Sequence, residues 1–182
     1  KLIFAVNLLG NPSDLEDLKS ICKKNEIILI EDNCESLGAK YNDKYTGTCG
    51  LMGSFSFFFS HHMQTMEGGM ILTNDKNLYE LCLSLRAHGW IRDLPKDNTI
   101  VNKTGNPFYD SFNFVVPGYN IRPLEMSGAI GSVQLRKLSN FIDRRRKNAQ
   151  IFKALFKNEA NIRIQQETQH SSWFGFSLIL TN

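Results

Sequence analysis

The opening of the chain constrains its fold most, because it reads as strand, helix and strand in quick succession. Ile3 to Val6 is a short apolar strand. Ser13-Asp-Leu-Glu16 has the form of a capping box, with Ser13 taking an N–H at the helix start and Glu16 returning the bond. Leu15, Leu18, Ile21 and Cys22 then share one helical face, and Asn25 marks the helix end. Glu26-Ile-Ile-Leu-Ile-Glu31 is a nearly continuous apolar run, the pattern of a strand covered on both sheet faces. Two strands joined through a helix pair in parallel with a right-handed crossover. An α/β domain is therefore predicted.

The 182 residues suit one domain, or one with part of a second. Lys1 opens almost directly on a strand, and Leu178-Ile-Leu-Thr-Asn182 ends in a strand-like run, so an internal portion of a longer protein, or its ordered remainder, is expected. The net charge of +3 is mild. Arg144, Arg145, Arg146 and Lys147 form the densest basic run, which reads as a solvated helix face. No aromatic platform alternates with it, and no nucleic-acid partner is expected. No apolar run approaches the roughly 20 residues that cross a bilayer, so no membrane partner is expected either. Cys22, Cys34, Cys49 and Cys82 form no CxxC pair. They suggest incidental thiols in a reduced, cytoplasmic protein, and no metal site.

Asp32 follows the second strand, at the carboxyl edge where open α/β sheets bind ligands. Gly47, Gly50 and Gly53 punctuate a loop. Phe55, Phe57 and Phe59 alternate with Ser54, Ser56, Phe58 and Ser60 and predict a strand with one apolar face. Glu67-Gly-Gly69 reads as a tight turn into the strand Met70-Ile-Leu-Thr73. Asn74 and Asp75 can cap a helix from Asn77 to Ala87, which Gly89 ends. The stretch 90–120 is long, irregular and aromatic, as binding loops are. Arg122-Pro-Leu-Glu125 opens a helix of small residues suited to close packing against another helix. A separate long helix is expected from about Asn140 to Asn158. Residues 1–139 then form part of a large domain. Residues 140–182 supply a linking helix and the start of a smaller one, with Ile162-Arg-Ile164 and Trp173 to Ser177.

Several ordered blocks share one resemblance. Glu31-Asp-Asn-Cys-Glu-Ser-Leu-Gly-Ala39, Gly47-Thr-Cys-Gly50, Phe55-Ser-Phe57, Glu67-Gly-Gly69 and Pro117-Gly-Tyr-Asn-Ile-Arg122, with Glu125 and Gln134-Leu135, resemble the nucleotide-sugar aminotransferase family. That family is a branch of the fold-type I enzymes that use pyridoxal phosphate (PLP). The likeness runs through about residue 157. It implies an aminotransferase-like large domain with a mainly parallel mixed sheet and a small α/β C-terminal domain. It also implies a homodimer with shared active sites. It assigns Asp32 to the cofactor's pyridine nitrogen and Ser56 to its phosphate, with Asn120 near the phosphate of a neighbouring subunit. Arg122 and His88 would support the substrate pocket. Without the resemblance, Ser56 reads as an ordinary strand serine, and Asn120 and Arg122 as loop and helix-start residues.

Two departures redirect the expected chemistry. The family's lysine should fall six residues before Glu67, where this chain has His61. Glu35 replaces the usual glutamine or histidine beside the cofactor. Imidazole moves protons but forms no stable covalent link to PLP as a lysine amine does. Both changes, with Ser60-His-His-Met-Gln-Thr-Met-Glu-Gly-Gly69, Arg86-Ala-His-Gly-Trp90 and Leu94-Pro-Lys96, resemble the family's sugar 3-dehydratase branch. The scattered cysteines favour its cluster-free, GDP-sugar type. The resemblance thus implies a lyase that removes the C3 hydroxyl of a nucleotide-linked 4-keto-6-deoxy sugar, GDP-4-keto-6-deoxy-D-mannose foremost. Pyridoxamine phosphate (PMP) would act unlinked, glutamate would be the amino donor, and His61 would carry the proton. His62 would pack beside it. The alternatives are a sugar aminotransferase with an unusual base, or an inactive relic retaining only fold and dimer interface.

Overall fold

A computed structural model describes residues 1–181. In chain order its elements are β1 (Leu2–Val6), α1 (Leu15–Lys24), β2 (Ile28–Asp32), β3 (Lys40–Tyr41), β4 (Lys44–Tyr45), β5 (Met52–Ser56), β6 (Gly69–Thr73), α2 (Lys76–Leu85), α3 (Pro107–Phe112), α4 (Glu125–Phe156), β7 (Ile162–Ile164) and β8 (Leu178–Leu180). They form two compact units. One joins Lys1–Leu72 with the chain from Glu125 onward; the other is Thr73–Leu124.

The first unit contains the predicted βαβ element. β1 pairs with β2 in parallel, with Val6 opposite Asp32, and β5 adds in parallel with Ser54 opposite Asp32. The sheet order is β1-β2-β5-β6. Ala5, Cys22 and Leu29 form a buried cluster between α1 and the sheet, backed by Ile3, Leu18 and Ile27. Leu15 is also buried, a change worth roughly 2 kcal/mol. Acidic Glu16 and Asp17 in the first turn of α1, and Lys23 and Lys24 in its last, complement the helix dipole. The helix cap differs from the sequence reading. Asp14 accepts the Asp17 N–H at 3.4 Å, while the Ser13 hydroxyl donates to the Val6 carbonyl at 3.0 Å. Ser13 N–H is also engaged, by Asn7 Oδ1 at 2.7 Å, so Ser13 belongs to the turn leaving β1 and the cap moves one residue on.

Only one face of β1 is covered. Leu2, Phe4 and Val6 project from the other face and are exposed in this chain, as strand alternation requires. β5 is shorter than the phenylalanine alternation predicts. Ser56 Oγ accepts the Phe58 N–H at 3.2 Å, and the Phe57 N–H turns to the Gly68 carbonyl at 2.9 Å. These bonds divert the chain into a loop after Ser56, leaving Phe59 exposed.

The carboxyl edge of the sheet is organised by one buried carboxylate. Glu31 accepts the N–H groups of Gly47, Cys49 and Gly50, each at 2.7 Å, and the Asn7 amide at 3.2 Å. Gly47 sits at φ +84°, and a Cβ there would lie 2.6 Å from the Asn33 amide nitrogen, so the loop closes on Glu31 only with glycine.

The two helices expected after Arg122 are one. α4 runs unbroken for 32 residues. Ser139 and Asn140 cost little inside a helix, and no Pro or Gly stands there to break it. A Cβ on Gly131 would come 3.1 Å from the Thr65 side chain, so this small residue lets α4 approach the loop after β5. Beyond α4, β7 and β8 pair antiparallel. The segment between them crosses back to the start of the chain. Ser172 N–H donates to Gly10 at 2.8 Å and Phe174 N–H to Leu9 at 3.1 Å. Asn182 of the predicted final strand lies outside the described residues.

In the second unit, Asp75 caps α2 by accepting the Leu78 N–H at 3.0 Å, and Asn106 caps α3, with Pro107 in its first turn. The irregular stretch between them is tied down. Thr99 donates both its N–H and its hydroxyl to Glu80, each at 2.7 Å. The chain returns alongside the end of α2, where His88 N–H donates to Tyr119 at 2.8 Å and Ile121 N–H to Arg86 at 3.0 Å.

Glu31→Gln keeps the shape of the side chain but removes the charge and turns an amide toward backbone donors. It is expected to cost about 3 kcal/mol, read as a lowered urea midpoint. A loss below about 1 kcal/mol would show that the loop closes without the carboxylate.

Candidate active site

The parallel register brings Asp32 and Ser54 side by side at the carboxyl ends of β2 and β5. Asp32 Oδ1 accepts the Cys34 N–H at 3.0 Å and the Ser54 hydroxyl at 3.3 Å. The carboxylate is thus oriented through Oδ1. Asn7 and Asn33 tie the neighbouring backbone together: Asn7 Nδ2 donates to Asn33 Oδ1 at 2.7 Å, and Asn33 N–H donates to the Ser54 carbonyl at 2.9 Å. Burial and the Asp32 charge push the Cys34 thiol up to about 11, so Cys34 stays a neutral thiol beside Asp32.

Ser56 ends β5, half-buried, with its hydroxyl oxygen accepting the Phe58 N–H. Glu35 is turned toward backbone: its Oε2 accepts the Leu9 N–H at 2.8 Å. His61 lies in the loop between β5 and β6. Its ring is flanked edge-on by Phe58 at 5.9 Å and by Phe174 at 5.2 Å between centroids. Its Nδ1 is buried and has no hydrogen-bond partner among the described residues.

His62 is built differently from its neighbour. It is buried, and its Nε2 lies 3.0 Å from the Ser172 carbonyl oxygen. Burial holds it down to about 4; the Ser172 bond works against this shift and the Arg145 charge with it. It packs as a neutral ring.

The remaining expected residues belong to the second unit. His88 takes a left-handed backbone, φ 61°, and its ring lies 5.5 Å from that of Trp90. The Arg122 guanidinium is 5.4 Å from the Trp90 ring centroid, and that of Arg92 is 3.9 Å from it. Asn120 bridges to Ala87 across the same return segment. This unit therefore gathers His88, Arg122 and Asn120, while the first unit carries Asp32, Glu35, Ser56 and His61.

The Asp32 carboxylate suits a cofactor with a cationic aromatic nitrogen. Asp32 offers an oriented carboxylate at a sheet edge, and the unpartnered, buried Nδ1 of His61 is a polar group of the kind that native sites ordinarily satisfy. Among the described residues, no group of three His, Cys, Asp or Glu could hold a metal ion, and no helix is long and apolar enough to cross a membrane. A cavity of about 210 Å³, lined by Arg146, Lys153, Glu167, His170 and Trp173, contains none of the expected site residues. Sequence reading missed Asn7, Asn33, Arg145 and Phe174. The placement of Asn7 directly after β1 was the one available signal; nothing local marks the others.

A sequence model of the DegT/DnrJ/EryC1/StrS aminotransferase family matches residues 1–182. GDP-4-keto-6-deoxy-D-mannose 3-dehydratase of Yersinia pseudotuberculosis is 60% identical over 181 residues, which are 99% of this chain and 46% of that protein. The solved Escherichia coli GDP-4-keto-6-deoxy-D-mannose-3-dehydratase with bound hydrated PLP superposes with a TM-score of 0.97 at 55% identity, over 100% of this chain and 47% of that one. A structure of GDP-4-keto-6-deoxymannose-3-dehydratase with a trapped PLP-glutamate geminal diamine gives the same TM-score of 0.97, identity of 55% and coverage of 100% and 47%. The chain spans about half the length of the curated relatives it matches. The expected family and the α/β aminotransferase fold are both borne out.

His62 makes stability depend on pH. Its folded value near 4 lies below the ordinary 6.5. Between those values the unfolded chain takes up a proton that the folded chain refuses. Stability is thus full above 6.5, falls as pH drops toward 4, and loses nothing further from this group below that. The total loss is about 3 kcal/mol. His62→Gln is expected to flatten that part of the curve in melts from pH 7 to 4.

Proposed function

The chain belongs to the DegT/DnrJ/EryC1/StrS aminotransferase family, and from that premise we propose that it is part of a PLP/PMP-dependent sugar 3-dehydratase. The substrate is a nucleotide-linked 4-keto-6-deoxy sugar, GDP-4-keto-6-deoxy-D-mannose, and the reaction removes its C3 hydroxyl. The observation that supports this reading is 60% identity over 181 residues to a relative named as that dehydratase, together with His61 six residues before Glu67, where the resemblance puts the family's lysine.

When bound, the cofactor supplies an electron sink and an amine that engages the C4 ketone. The residues of this chain do the rest. Asp32 holds a proton on the pyridine nitrogen, its Oδ1 being fixed by Cys34 and Ser54. Ser56 receives the phosphate. Asn120 reaches the phosphate of a neighbouring subunit, and Arg122 and His88 hold the nucleotide sugar. Glu35 shapes the cofactor pocket by fixing Leu9. His61 takes the proton from the cofactor's C4′ carbon and assists departure of the C3 hydroxyl as water, a task suited to imidazole. Lacking a lysine at this position, the chain holds PMP without a covalent bond. Glutamate serves as amino donor, in keeping with the PLP-glutamate adduct trapped in a related structure. Residues 1–139 belong to the large domain and 140–182 to the linking helix and the start of the small one. The whole enzyme works as a cytoplasmic homodimer with shared sites, supplying dideoxysugar for lipopolysaccharide O-antigen.

The test is product analysis by mass spectrometry, using the full-length protein with PMP, glutamate and the GDP-linked keto sugar. A 3-deoxy keto sugar is expected; an amino sugar would establish a transaminase instead. His61→Asn should lower dehydration by about 10²–10⁴-fold while retaining PMP. Turnover at the original rate would overturn the proton-carrier role.

A further inference from the structure

Histidines that act on protons are ordinarily oriented by a hydrogen bond at the second ring nitrogen. Among the described residues the buried Nδ1 of His61 has no such partner, and the contacts that flank its ring are aromatic. Phe58 stands at 78° to the imidazole on one side, and Phe174 stands at 89°, with centroids 5.2 Å apart, on another. Edge-to-face is a preferred arrangement for such rings. Phe58 is a close sequence neighbour that moves with the same loop. Phe174 comes from the segment between β7 and β8 and is anchored by α4 and the start of the chain as well as by His62 of that loop.

That anchoring is extensive. The carbonyls of Ser172, Trp173 and Phe174 are engaged one after another. The first meets His62 at 3.0 Å, and the other two accept from Arg145 Nη1 at 3.0 and 2.9 Å. The Phe174 N–H donates to Leu9 at 3.1 Å. Leu9 takes a left-handed backbone, φ 54°, that leucine seldom adopts, and its own N–H is held by Glu35 at 2.8 Å. A connected path thus runs from Glu35 through Leu9 and Phe174 to the His61 ring.

We propose that Phe174 is a positioning residue that sets the orientation of the His61 imidazole, with Arg145 and Glu35 holding it in place through the backbone. The proposal rests on the reading of His61 as the proton carrier. It gives Arg145 of the basic run a specific task, and gives Glu35 one at a remove from the cofactor.

In the full-length enzyme, Phe174→Leu is expected to lower kcat by about 100-fold, the cost of misplacing a reacting group by roughly 1 Å, with KM for the nucleotide sugar within about 3-fold of wild type. Phe174→Tyr keeps the ring edge and should stay within about 3-fold in kcat. An independent readout is modification of His61 by diethyl pyrocarbonate, followed peptide by peptide without cofactor. The rate should rise in Phe174→Leu and stay unchanged in Phe174→Tyr, with buried His62 slow throughout. Phe174→Met provides a second volume-conserving variant, and thermal melting checks folding. Unchanged kcat and unchanged modification in both Leu and Met variants would overturn the proposal, as would unfolding of both, which would make Phe174 a structural residue alone. Normal turnover by His61→Asn would sink the proton-carrier reading instead, and leaves the modification assay to judge the orientation of the ring.

Discussion

The carboxylate of Glu31 is the interaction on which the functional edge of this protein depends. A charge with no exposure to water is tolerable only when donors surround it. Here the donors are three backbone N–H groups of one loop and the amide of Asn7. Satisfying Glu31 therefore draws the 47–50 loop and the exit of β1 onto β2. Glycines at 47 and 53 permit the approach, since a Cβ on Gly53 would strike the Gly47 carbonyl.

The strand end that carries Asp32 is arranged around that closure. Asn7 links Glu31 to Asn33 and to the turn at Ser13, while the Ser36 hydroxyl donates to the Asn7 carbonyl. Asp32 then emerges with one oxygen fixed, beside Ser54. The adjacent acidic residues take opposite roles because the strand alternates faces: Glu31 points to a buried backbone cradle and Asp32 to a half-buried edge. The next layer is the Ser171–Phe174 segment, which ties Leu9 and Gly10 to α4 through Arg145 and Arg146 and brings an aromatic ring to His61.

Several elements were legible locally. The βαβ opening followed from apolar period and length, and Asp75 as a helix cap followed from side-chain chemistry one turn long. Others failed for identifiable reasons. Ser13 had the right chemistry for a cap, but the turn after β1 took its hydroxyl and N–H first. The alternation through Phe59 suggested a longer strand, yet Ser56 and Gly68 diverted the N–H groups of Phe58 and Phe57. The apparent break between two helices vanished because Ser139 and Asn140 tolerate helical backbone.

By itself the sequence determined the α/β class, the ordered motifs of the family, Asp32 after a strand and a histidine six residues before Glu67. Each is a property of residue type and short-range spacing. Only the tertiary structure decided that Glu31 is buried among backbone donors, that Glu35 grips Leu9, and that His62 is neutral against Ser172 while His61 is flanked by Phe174. Those contacts join segments far apart in the chain. No local pattern encodes them, because burial and partnership are set by which segments pack together and not by the residues' immediate neighbours.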